Sequence, residues 1–181
     1  MDVRVRVATS DHVQTLAELS ARTFFEAYID SLSADVLIPF IESAFAIEAI
    51  RAELASPSVT FLIAEVQGEI AGYAMTDIGD APEPVGGDRP AELARIYVGG
   101  EWIGRGVGAQ LMRASLDHAE SSGCDVVWLG VWEHNHRAIG FYERWGFRAI
   151  GHTSFRLGDV VQTDVLMERV TIGAEAPTTV D

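Results

Sequence analysis

Trp102-Ile103-Gly104-Arg105-Gly106-Val107-Gly108-Ala109-Gln110-Leu111 decides the reading of this chain. It follows the apolar run Leu93 to Val98 and opens a helical pattern from about Gly106 to Ser122. Glycines at alternating positions before a helix let the backbone approach a ligand and turn successive N–H groups toward it. The first-turn donors of a helix have no internal partner, so a phosphate can accept from them. The segment therefore reads as a pyrophosphate cradle for a nucleotide-type cofactor. The spacing Gly104-x-Gly106-x-Gly108 departs from G-x-G-x-x-G because its third glycine comes early, and the Gly-Lys-Ser/Thr ending of a P-loop is missing. No acidic residue closes a second strand about 20 residues on, where a ribose would need one. A plain glycine-rich turn into a helix fits the same spacing.

The 181 residues suit one domain with a full core. Hydrophobic residues make up 48% and charged residues 22%, an ordinary globular balance. A net charge of −14 argues against nucleic acid, which needs clustered Lys and Arg. It favours a cationic, amine-bearing partner by field alone, although plain solubility explains bulk charge as well. The single cysteine, Cys124, excludes an internal disulfide and reads as a small buried residue. The charged N-terminus lacks an apolar h-region, and no apolar run is long enough to span a membrane. The expected compartment is the cytoplasm.

Val3, Val5 and Val7 alternate with arginines as a short strand. Ser10 or Asp11 caps a helix that the aromatic segment Phe24 to Ile29 ends, Ser33 starts a second, and Ile47 to Leu54 forms a third. Val59 to Val66 and Glu69 to Asp77 form a hairpin around Gln67-Gly68. Gly79 to Pro90, with three prolines, reads as a mobile loop. Glu92 to Val98 is the strand feeding the glycine turn, and Asp125 to Trp132 is a buried central strand. Asn135 to Trp145 is a helix ended by Gly146, and two strands joined at Gly158-Asp159 close the domain at Val170. Strands with inserted helices make a mixed α/β domain over residues 1–170, followed by a disordered tail, 171–181.

Leu93-x-x-Ile96-Tyr97-Val98, then Gly104-Arg105-Gly106-Val107-Gly108, then Asn135-x-x-Ala138-x-x-Phe141-Tyr142-x-x-x-Gly146-Phe147 resembles the GCN5-related N-acetyltransferases. The likeness is densest from Glu92 to Gly151. It implies an α/β fold with a mixed, mostly antiparallel sheet of about seven strands and flanking helices. The family's Gln/Arg-x-x-Gly-x-Gly/Ala motif falls with its glycines on Gly106 and Gly108, but its first position is Ile103. Trp128 to Asn135 and Phe155-x-x-Gly158-Asp159-x-x-Gln162-Thr163-Asp164 are similar to bacterial spermidine/spermine N-acetyltransferases.

The resemblance implies acetyl transfer from acetyl-CoA to a primary amine. The backbone of Ile96, Tyr97 and Val98 would bind the pantetheine arm as an added strand, and Gly104, Arg105, Gly106, Val107, Gly108 and Ala109 would hold the pyrophosphate. Asn135 would hydrogen-bond the arm, and Arg144 would meet the 3′-phosphate or stay in solvent. Tyr142 takes the position of the general acid, a phenol near ~10 returning a proton to a thiolate near ~8.5; otherwise Phe141-Tyr142 is a packing pair. Glu92, by strand parity with Ala94, Ile96 and Val98, faces the cofactor side as candidate base. Glu26 and Tyr28 belong to the helical region that lines the acceptor pocket, where Glu26 would pair with a distal ammonium. His134 and His136 flank Asn135 at i, i+2, but no further cluster supports a metal. A peptide N-terminus remains an alternative acceptor, and a non-catalytic acyl-CoA sensor is the alternative outside catalysis. Homodimers are common in the family, though no pattern here demands one.

Overall fold

The computed structural model describes residues 2–171. Its strands are β1 (Arg4–Val7), β2 (Val59–Val66), β3 (Glu69–Ile78), β4 (Pro90–Val98), β5 (Val126–Trp132), β6 (Arg148–Leu157) and β7 (Val160–Val170). Its helices are α1 (Val13–Tyr28), α2 (Ala34–Ala44), α3 (Ile47–Ala55), α4 (Val107–Ser121) and α5 (His136–Arg144). The strands form one sheet in the order β1-β2-β3-β4-β5-β7-β6. Every neighbouring pair is antiparallel except β4 with β5, which α4 joins as a crossover. The α/β sheet of seven strands agrees with the expectation.

Each face of the sheet carries its own core. On one, Leu111 and Met112 of α4 pack on Ala74, Leu93, Val127 and Leu129, with α5 alongside. On the other, Leu16 and Phe24 of α1, Leu37 of α2 and Ile50 of α3 cover Phe61, Ile63 and Tyr73. Leu16, Leu37, Ile50 and Leu111 are fully buried, each stabilising by about 1.5–3 kcal/mol. The buried stripe of α4 runs through Val107, Leu111, Met112, Ser115 and Ala119.

Local signals moved slightly. Thr9, not Ser10 or Asp11, caps the first turn, in a reciprocal box with His12. Ser33 precedes α2 as expected, and Gly146 ends α5 at φ +84°. In β4, Met75 pairs with Arg95 and Thr76 with Leu93, so Ala94 is an extra residue, a β-bulge.

The loop from Gly79 to Pro90 is anchored rather than mobile. Gly86 N–H donates to Glu168 Oε2 at 3.1 Å, and Asp88 and Arg89 N–H donate to the Asp125 carboxylate at 2.6 and 3.0 Å. Thr171 belongs to the fold, not to a tail: its hydroxyl donates to Cys124 O at 2.8 Å. The rest of the expected tail, 172–181, lies outside the described residues.

Asp125→Ala removes two charge-assisted acceptors from the loop. A bond of this kind is worth about 1.5–3 kcal/mol at most and less when exposed. Amide exchange at Asp88 and Arg89 should accelerate about tenfold, the effect of ~1.4 kcal/mol. Unchanged exchange would mean that the loop is held elsewhere.

Candidate functional site

Three register pairs join β4 to β5: Pro90 with Val126, Ala91 with Val127 and Glu92 with Trp128. Beyond them the strands part, although β4 continues to Val98 and β5 to Trp132. The edge of β4 from Leu93 to Val98 that faces β5 is thus without a strand partner, while its other edge stays paired with β3 up to Val98. Unpaired backbone donors and acceptors inside a fold need partners, and an extended ligand arm carrying amides can supply them.

The glycine turn lies at the mouth of this slot. Gly104 and Gly106 have φ of +79° and +88°, the left-handed region that a side chain disfavours. Gly106 is the residue at the N-terminus of α4, and the first internal bond there runs from Gln110 N–H to Gly106 O at 3.1 Å. The N–H groups of Val107, Gly108 and Ala109 have no backbone acceptor among the described residues. A Cβ on Gly108 would make ordinary contact with Val98 at 3.7 Å and Phe141 at 3.9 Å, so the wedge between β4, α4 and α5 admits a methyl there but a larger side chain would fill it. Arg105 lies over the Trp102 ring at 5.6 Å, and both Arg105 and Arg144 are exposed. The residues present fit a phosphate-bearing, amide-containing cofactor arm.

Three phenols meet across the slot. Tyr142 packs on the α4 side of the sheet with Phe141 and Trp145. Tyr97 and Tyr28 belong to the opposite core. Burial drives the Tyr142 hydroxyl well above the usual phenol range, and Tyr28 adds to the shift. Burial also raises Tyr97 far above that range, with both Tyr28 and Tyr142 contributing. Tyr28 is pushed up to about 12 by burial and by Asp164, against the pull of the Tyr97 hydroxyl. Groups from opposite faces sense each other here because β4 and β5 leave a passage between them. Asn135 stands at the same mouth, its Oδ1 accepting from Ala138 N–H at 3.1 Å, and its side-chain NH₂ has no hydrogen-bond partner among the described residues.

The carboxylates fall differently from the sequence expectation. The bulge at Ala94 reverses the alternation in β4, so Glu92 does not share a face with Ile96 and Val98. Those two pack with α4, whereas Glu92, opposite Asp77, lies on the α1–α3 face. Burial, with Asp77 beside it, raises the Glu92 carboxyl against the pull of Arg95. Glu26 is exposed and faces Gly100, 3.6 Å from where a Cβ would stand. Tyr28 instead turns to Trp132, with ring centroids 5.9 Å apart. The two are i, i+2 on a helix, so they do not share a pocket wall.

Sequence reasoning quoted Asp164 only within a resemblance and gave it no role of its own. It pairs in register with Trp132, and burial with Glu133 nearby pushes its carboxyl up to about 6. The available signal was Gln162 and Asp164 two residues apart on one face of the strand.

The family model described as Acetyltransferase (GNAT) family matches residues 14–147. An uncharacterised N-acetyltransferase of Lactobacillus delbrueckii subsp. lactis is 32% identical over 168 residues, covering 93% of this chain and 96% of its own. The spermine/spermidine N(1)-acetyltransferase of Bacillus subtilis is 28% identical over 90 residues, 49% of this chain and 59% of its own. Among solved structures, the PaiA N-acetyltransferase from Thermoplasma acidophilum in complex with coenzyme A superposes with a TM-score of 0.79 at 20% identity. That match covers 94% of this chain and 99% of the other.

Gly108→Val places branched carbon in the wedge beside Val98 and Phe141, and Gly106→Ala strains a left-handed residue by roughly 1–2 kcal/mol. Calorimetry should find acetyl-CoA affinity at least about tenfold weaker in Gly108→Val. Wild-type affinity in that variant would displace the cofactor arm from this wedge.

Proposed function

The chain belongs to the acetyltransferase (GNAT) family and is an acetyl-CoA-dependent N-acetyltransferase, and from that premise we propose that it acetylates a primary amine of a small cationic acceptor, polyamines such as spermidine and spermine first. The observation that carries this reading is the passage between β4 and β5, with a phenol at one side and carboxylates at the other. The likeness of half the chain to the Bacillus subtilis enzyme and the net charge of −14 support the same acceptor class.

When bound, acetyl-CoA supplies the thioester whose acyl carbon the amine attacks. The unpaired backbone of β4, from Ile96 to Val98, holds the arm, and the N–H groups of Val107, Gly108 and Ala109 face the pyrophosphate. Arg105 and Arg144 lend positive charge from exposed positions. Asn135 donates its free amide hydrogens to the arm. Tyr142, kept protonated by its raised pKa, returns a proton to the departing sulfur. Glu92 takes the amine's proton, directly or through water, and its raised pKa makes it a stronger base than an exposed carboxylate. Tyr28 forms a wall of the acceptor side. Glu26, exposed at the rim, steers cations inward without gripping them.

A thiol-release assay with acetyl-CoA and a panel of amines tests the reading. Turnover should be fastest with spermidine or spermine, and added salt should raise KM more than it lowers kcat. Turnover on peptide N-termini with none on any polyamine would reject the acceptor assignment. Tyr142→Phe keeps the ring and removes the hydroxyl. Its kcat should drop on the order of 10²-fold with acetyl-CoA binding little changed. A variant as fast as wild type would leave the ring as packing and put the acid elsewhere.

A further inference from the structure

Two acceptor atoms on the α1–α2 side of β7 lack partners. Asp164 Oδ1 and Gln162 Oε1 are both buried and receive no hydrogen bond among the described residues. Gln162 is only 7% exposed. A buried oxygen without a donor costs about 1–3 kcal/mol, which a donating ligand recovers. The two residues alternate on one strand, so they share a face, about 6.6 Å apart along it.

What surrounds them suits an alkylammonium. Trp132 stands opposite Asp164 in register and meets the Tyr28 ring at 5.9 Å. Phe155 stands opposite Gln162. Aromatic faces of this kind attract a cation and cover its methylenes. Gly130 makes room for the Asp164 carboxylate itself: Oδ2 lies 3.4 Å from the place a Cβ there would occupy. Gly130 belongs to β5, the strand that borders the slot, so Asp164 stands one strand in from the passage. Glu133 adds negative potential, and above pH about 6 Asp164 itself is ionised.

We propose that this row is a distal subsite for the acceptor: Asp164 holds the second nitrogen of a di- or polyamine between Tyr28 and Trp132, and Gln162 accepts from a third, while the terminal amine enters the slot. A propyl or butyl spacer spans about one strand spacing, ~4.8 Å, or a two-residue step, ~6.6 Å. The subsite rests on the small-amine reading given above. It assigns Asp164 and Gln162 to recognition and leaves proton transfer to Glu92 and Tyr142.

Steady-state kinetics with saturating acetyl-CoA and three acceptors test it: n-butylamine, 1,4-diaminobutane and spermidine. Asp164→Asn keeps the shape and removes the charge. Its KM for the diamine, relative to that for the monoamine, should rise at least about tenfold over wild type. Gln162→Leu should raise the KM for spermidine relative to the diamine. Monoamine turnover in each variant, with acetyl-CoA affinity by calorimetry, reports whether the fold has survived. Unchanged KM ratios in both variants would overturn the subsite. An equal loss of kcat on all three amines in Asp164→Asn would overturn it too, by making Asp164 the proton acceptor. Wild-type protein that turns over none of the three would reject the small-amine reading itself, a result distinct from loss of the subsite alone.

Discussion

Between β4 and β5 the sheet is held by three register pairs and then comes apart. An open strand edge inside a fold is costly, because its N–H and C=O groups must find partners. Here the opening sits beside the N-terminus of α4 and ahead of α5, the two helices that follow the parting strands. One constraint therefore sets three things at once. It exposes the backbone of β4, aims the free donors of α4 at the same mouth, and connects the two faces of the sheet. The phenols of Tyr28, Tyr97 and Tyr142 register that connection, since they come from both cores yet perturb one another.

The two mouths of the passage differ in chemistry. On the α4 side, glycines and backbone amides dominate, with exposed arginines at the edge. On the other, half-buried carboxylates stand among aromatic rings. Burial raises the carboxyl pKa of both Glu92 and Asp164, that of Asp164 to about 6. Exposed arginines thus edge one mouth and carboxylates the other, a difference in the sign of charge across the sheet.

Much of this was legible in local sequence. The turn from Gly104 to Gly108 announced itself because left-handed backbone and free helix donors need glycine there. Gly146 and Ser33 marked helix ends for equally local reasons. Glu92 was misplaced because alternation assumes an unbroken pleat, and the extra residue at Ala94 leaves no mark in the sequence. Asp164 stood in a quoted motif without a role, because its neighbours Trp132, Gly130 and Tyr28 are distant in sequence and adjacent only in the fold. The loop before β4 looked mobile for the same reason: its proline and glycine content is local, whereas Asp125 and Glu168, which anchor it, are remote.

The helix that carries Tyr142 has a further consequence. No residue of α5 is buried over its whole surface, although Ala138, Ile139, Phe141 and Tyr142 all lean on the core and the Tyr142 hydroxyl is enclosed. Its inner side borders the wedge beside Gly108. A ligand arm placed in that wedge would act as a removable portion of the hydrophobic core, and its departure would return apolar surface to water. Closure of this corner and occupancy of the wedge are then one equilibrium, tied together by mass action. Coenzyme held in the wedge would by that linkage seat α5 more firmly.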